Sequence, residues 1–201
     1  MRRLLLVLYL VLCVAFGFVL APAVDYSIAH LKYHYHGGWE GMEVRHSRSI
    51  PCEEAETWAK VTQRIWGDIL KGNSPLEGYS FTFSVVEYGE LGPFVDGDFT
   101  TKRFWWRSET AETVSVALPW SNGESLEEVS IVKTIAHELA HLRRYLEQGS
   151  QEGCYLTSTS SSQWNLEDYL DNPCERAARE FAARYMEEHP EFLEELLEDS
   201  G

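Results

Sequence analysis

His137-Glu138-Leu139-Ala140-His141 is the stretch whose reading decides the rest of this chain. On an α-helix, residues four apart lie on one face. His137 and His141 can therefore present two imidazoles to one metal ion. Glu138 lies about 100° round the helix from His137. Its carboxylate can reach a water on that ion without being a ligand. Zinc held by neutral imidazoles lowers the pKa of bound water to about 7, and a nearby carboxylate can then take the proton.

The flanks fit a buried helix. Ser125-Leu126-Glu127-Glu128 has the form of a capping box, and the helix is expected to run to about Gln148, with Gly149 ending it. With His137 at the origin, Thr134, His141 and Tyr145 fall within about 80° of it. Ile131, Ile135, Leu139, Leu142 and Leu146 cluster between about 120° and 200°. The two histidines thus stand at the edge of an apolar stripe, as a helix flooring a cleft requires. The plainer alternative is two surface histidines on an amphipathic helix, because the motif recurs by chance.

The chain has 201 residues, enough for one domain with its own core. Its 44% hydrophobic and 13% aromatic content excludes wholesale disorder. A net charge of −15 argues against nucleic acid as a partner. Much of that charge lies in Glu187, Glu188, Glu191, Glu194, Glu195, Glu198 and Asp199, which read as a solvated acidic tail.

Arg2 and Arg3 precede an uncharged run from Leu4 to Val24, interrupted late by Pro22. A run of this length can span a bilayer, and its positive flank places the N-terminus in the cytoplasm and the rest outside. The rival is a cleaved signal peptide ending near Ala21-Pro22-Ala23. The apolar run exceeds the usual core of about 7–15 residues, which favours an uncleaved anchor. The expected organisation is an anchor or signal over 1–24, a juxtamembrane linker over 25–50, and a catalytic domain over 51–201. Cys52, Cys154 and Cys174 then face an oxidising compartment, with one disulfide and one thiol left over. Cys154–Cys174 is the pairing expected, since it would staple the segment after the histidine helix. The spacing resembles no structural zinc pattern.

His30, His34, His36 and His46 fall in the proposed linker, which reads more readily as an aromatic-rich segment near headgroups than as a second metal site. Residues 51–71 read as a helix, with Pro51 and three glutamates at its start and Ala55, Trp58, Thr62, Ile65, Trp66 and Ile69 on its packing face. Alternation over 79–85 marks a strand, with further candidates over 99–107 and 113–118. Asp96-Gly97-Asp98 reads as turn chemistry. The 113–118 strand directly precedes the histidine helix, which suggests an edge strand open to an extended peptide. Trp105 and Trp106 read as sheet cover. The polar run from Thr157 to Ser162 reads as a lid.

A catalytic zinc takes one more protein ligand and keeps one open position. Asn172-Pro173 opens a second helix on which Glu175 and Glu180 are the candidates. With Ala178 at the origin, Phe181, Ala182, Tyr185 and Met186 span about −60° to +80°. Glu175 falls inside that stripe, and Glu180 falls near 200°, toward solvent. A carboxylate on a buried face needs a partner, and a metal cation is one. Asn172-x-x-Glu175 also fits a capping pattern, so a purely structural role is the alternative.

HELAH followed by Glu-x-x-Ala-x-x-Phe-Ala over Glu175 to Ala182 resembles the gluzincin zinc metallopeptidases, especially the minimal single-domain (minigluzincin-like) members. The resemblance covers roughly Val129 to Tyr185. It implies His137, His141 and Glu175 as zinc ligands and Glu138 as general base and acid. Relatives often carry an aspartate one residue after the alanine of the glutamate motif, to support a histidine. This chain has Arg179 there. Relatives also use a downstream Tyr or His on the oxyanion, for which Tyr145, Tyr155 and Tyr169 are the candidates.

The expected fold is α+β and zincin-like, with a small, mostly antiparallel sheet packed on the HExxH helix and an N-terminal transmembrane helix. The expected activity is hydrolysis of peptide bonds outside the cytoplasm, with one catalytic Zn2+. A membrane-tethered metal-binding regulatory domain without efficient turnover is the alternative, and an intact Glu138 argues against it.

Overall fold

The computed structural model describes residues 33–39, 41–71, 79–91, 96–103, 110–118, 128–148 and 170–190. By its contacts the chain divides into Met1–His34 and Tyr35–Gly201. The apolar run at residues 4–24 lies outside the described residues, among which no helix is long and apolar enough to cross a membrane. Trp105, Trp106, the polar run at 157–162 and the acidic tail from 191 also lie outside them.

In chain order the elements are β1 (Tyr33–Trp39), β2 (Met42–Ser47), α1 (Cys52–Leu70), β3 (Phe81–Glu87), β4 (Gly97–Arg103), β5 (Thr110–Leu118), α2 (Glu128–Gln148) and α3 (Pro173–Glu188). The fold is therefore mixed α and β. α1 and α3 start where their sequences allow, and the capping box expected from Ser125 lies, apart from Glu128, outside the described residues. Pro51 caps α1, with Glu53 and Glu54 against its positive end. Asn172 caps α3 by accepting from the Cys174 amide at 2.8 Å.

The sheet corrects the expectation of a mostly antiparallel arrangement. Its order is β1-β2-β3-β5-β4. β2 and β3 run parallel, as do β3 and β5, and β4 pairs antiparallel with β5. Parallel neighbours need a long crossover, and α1 is that crossover between β2 and β3. The linker expected over 25–50 is corrected with it, because β1 and β2 fall there and Met42 and Val44 enter the core. Gly41, at φ 76°, provides the backbone for the two-residue link between them. Its period is hard to see in sequence because His46 and Ser47, both polar, are also buried.

The expected edge strand is corrected too. β5 lies inside the sheet and is buried over 112–118, while β4 forms the edge. Rows of side chains cross the face turned to the helices: Val44, Phe83, Val114 and Phe99 make one, and His46, Val85, Val116 and Gly97 the next. Onto these rows α1 lays Trp58, Ile65 and Trp66, and α2 lays Ile131, Ile135, Leu139 and Leu142. The helix faces read from the periodicity are the faces that pack.

α3 reaches the core through Ala182 and Tyr185. The Tyr185 hydroxyl donates to Asp68 Oδ2 on α1 at 2.8 Å, and His189 stacks on the Tyr185 ring with its Nε2 3.8 Å from the same oxygen. Burial alone would raise the Asp68 carboxyl. Hydrogen bonds from Lys71 and Tyr185, and the charges of Lys71 and His189, outweigh it and hold the group below its ordinary value. A depressed carboxyl stabilises the fold above its unfolded pKa and loses that contribution as pH falls through the folded one. Tyr185→Phe should therefore cost about 1–3 kcal/mol at neutral pH. In denaturant titrations the difference from wild type should persist at pH 5 and shrink only below the ordinary aspartate value of 3.8.

Candidate metal centre

α2 carries His137 and His141 one turn apart, and α3 carries Glu175 across the α2–α3 interface. His137 Nε2 lies 3.1 Å from His141 Nε2 and 3.2 Å from Glu175 Oε2, and His141 Nε2 lies 3.4 Å from Glu175 Oε1. All three side chains are largely buried, at 13–16% exposure. Among the described residues they form a group that could hold a metal ion. The donor set fits one. Corners of a tetrahedron with bonds of about 2.0–2.1 Å are about 3.3 Å apart. Two imidazole nitrogens and a carboxylate crowded this closely place lone pairs against one another, an arrangement a cation relieves.

Local sequence explains the convergence. His137 and His141 lie beside the apolar stripe of α2, so burying Ile135, Leu139 and Leu142 turns both imidazoles to the rim of the core. On α3, Ala178, Ala182 and Tyr185 are buried and Glu180 is exposed, which leaves Glu175 on the side facing α2. Asn172 accepts from the Cys174 amide at the cap, and the Glu175 carboxylate lies within reach of the histidines.

Glu138 stands next to the trio and outside it. It is 7% exposed, and its Oε1 lies 4.0 Å from His137 Nε2. Burial first, then the carboxylates of Asp98 and Glu175, push its carboxyl well above the ordinary range. Asp98, on the edge strand, is itself pushed up by burial, with the charge of His141 opposing. Three carboxylates and two imidazoles thus share one pocket of charge.

Gly97 and Asp98 are the residues that sequence reasoning missed here, having taken them for turn chemistry. A Cβ at Gly97 would stand 2.5 Å from Thr134 Cγ2 and 2.9 Å from both Cγ and Oε1 of Glu138. The strand backbone therefore rests directly on the α2 face that carries Glu138. A lone glycine in a strand pattern is the signal of such a close approach.

Of the tyrosines considered for an oxyanion, Tyr145 packs on Phe99 with ring centroids 5.9 Å apart. Tyr155 and Tyr169 lie outside the described residues. His46 is buried at the end of β2, its ring bonded to the Ser47 carbonyl and 3.8 Å from Cys52 Sγ. His30 lies outside the described residues, as do the side chains of His34 and His36. Cys174, next to Glu175, is disulfide-bonded and Cys52 is free. Cys154, its expected partner, lies outside the described residues.

Comparison of the chain with known protein families, characterised proteins and solved structures returns no match.

Two outcomes follow from this geometry. Glu175→Ala should weaken metal binding by orders of magnitude in a chelator titration, because two histidines alone hold a metal poorly. Glu180→Ala should leave metal binding alone and move stability by no more than about 0.5 kcal/mol. Metal loss in the second variant and not the first would reverse the assignment. Gly97→Ala should destabilise by about 1–3 kcal/mol in thermal melts, since the added methyl has no room.

Proposed function

We propose that this chain is a gluzincin-type zinc metallopeptidase, carried to or across a membrane by its N-terminal apolar run. The observation that carries the reading is the position of Glu138: buried beside the His137–His141–Glu175 trio, yet not one of its donors. A purely structural site closes its coordination with protein groups and has no use for an idle carboxylate alongside. Three protein donors are the number that catalytic sites use.

A bound zinc supplies Lewis acidity that polarises a carbonyl and brings the pKa of a water to about 7. The remaining work falls to the chain. Glu138 takes the proton of the attacking water and delivers it to the leaving amine. Gly97 lets β4 lie against Glu138, so a peptide added to the outer edge of β4 runs past the proton-carrying group. Asp98 brings a negative charge toward His141, the support that the resemblance expects from the α3 position taken by Arg179. Arg179 instead bonds the Leu170 carbonyl and secures the approach to α3.

The full-length chain should hold about one zinc and cleave a broad peptide library. Glu138→Gln should keep the zinc and lose cleavage by a factor of about a hundred or more. Losing the metal together with the activity would make Glu138 a ligand and remove the catalytic reading. Metal analysis beside a library digest separates these results.

A further inference from the structure

Glu112 is a second buried carboxylate, away from the metal donors. It stands on β5 opposite Thr101 of β4, one step along from the Thr82–Thr113 pair, and so on the face turned toward the helices. It is 3% exposed. The Tyr79 hydroxyl bonds to it, and its Oε1 has no hydrogen-bond partner. Among the described residues no lysine, arginine or histidine pairs with it.

An ionised carboxylate buried without a cation is costly, and one missing partner leaves the cost unmet. Its surroundings point to where a partner enters. Tyr79, Thr101, Phe99 and Tyr145, neighbours by hydrogen bond, ladder pairing and ring contact, are each only half-buried. Tyr145 packs on Phe99 and lies close enough to Tyr79 to affect its charge. It follows His141 by one helical turn, about 6 Å of rise. Tyr145 thus links the helix of the metal donors to Phe99, which stands on β4 two residues from Thr101, the ladder partner of Glu112.

We infer that Glu112 is the floor of a subsite for a lysine or arginine side chain of the substrate, with Tyr79, Phe99 and Tyr145 as its walls. The chemistry matches both ends of such a side chain. Its methylene stem packs along the aromatic faces, and its cationic head donates to Glu112 Oε1. Tyr79 keeps its proton, since burial and then the bond to Glu112 hold its phenol far above the usual range. It therefore fixes the carboxylate as a donor rather than competing as a second anion. The net charge of −15 draws basic peptides to the surface. The inference rests on the peptidase reading for what enters, and one of its tests does not need turnover.

That test measures calorimetric binding of N-acetyl-lysine methylamide and its norleucine analogue, which has no ammonium, to the full-length chain. The lysine amide should bind ten-fold or more tightly, and Glu112→Gln should erase the difference while keeping an acceptor for Tyr79. Equal binding of the two amides, or a preference that survives Glu112→Gln, overturns the subsite. If that variant does not fold, the comparison on wild type decides alone. In the peptide-library digest, cuts should cluster beside Lys and Arg, and Glu112→Gln should raise KM for those peptides with kcat nearly unchanged. Cleavage indifferent to basic residues also overturns the subsite. An uncut library counts against the peptidase reading, and the amide pair still decides the subsite.

Discussion

Everything at the candidate centre depends on one packing event, the seating of α3 against α2. Each helix alone has an ordinary amphipathic face. Together they press a carboxylate against two imidazoles in a place with little water, where a cation among them would relieve the crowding. Two of the buried positions of α3 are small, Ala178 and Ala182, which favours a close approach of the helix to its neighbours. The clasp of Tyr185 on Asp68 holds the far end of α3 to α1. The helix is thus fixed at both ends, one by polar contact with the scaffold and one by the donors.

The sheet contributes position rather than chemistry. A parallel centre buried beneath α1 and α2 gives a stiff platform, and β4, one of the two edge strands, lies where α2 carries Glu138. The arrangement also concentrates negative charge. Asp98, Glu138 and Glu175 approach from three separate elements, so no local rearrangement of one of them can disperse it.

The helices were legible in the sequence because each carries local signals. Pro51 with its glutamates and Asn172-Pro173 ahead of Ala178 and Ala182 each state a start and a buried face, and the stripe from Ile131 to Leu146 states a face. Helical phase was enough to turn Glu175 inward and Glu180 outward, because the 3.6-residue period is rigid over three turns. The strands were harder. β1 and β2 were read as linker because polar residues, His46 and Ser47 among them, fill positions where an apolar pattern would mark a buried strand, and missing β2 meant missing that α1 is a crossover. Which strand forms the edge is a matter of long-range pairing, and no local pattern encodes it. Asp98 and Glu112 were invisible for the same reason: their meaning comes from what lies across the ladder, not along the chain.

Gly97 has a consequence for how this protein can vary. Its missing side chain is bounded on one side by Thr134 and on the other by Glu138. A smaller residue at 134 would relieve only the first contact. The second is with Glu138 itself, which cannot shrink and keep the proton-carrying role proposed for it. Positions 97, 134 and 138 therefore form a linked set in which 134 alone is free to drift. Among chains that descend from this one, 97 should stay glycine wherever 138 stays glutamate, and should relax only where 138 has already changed.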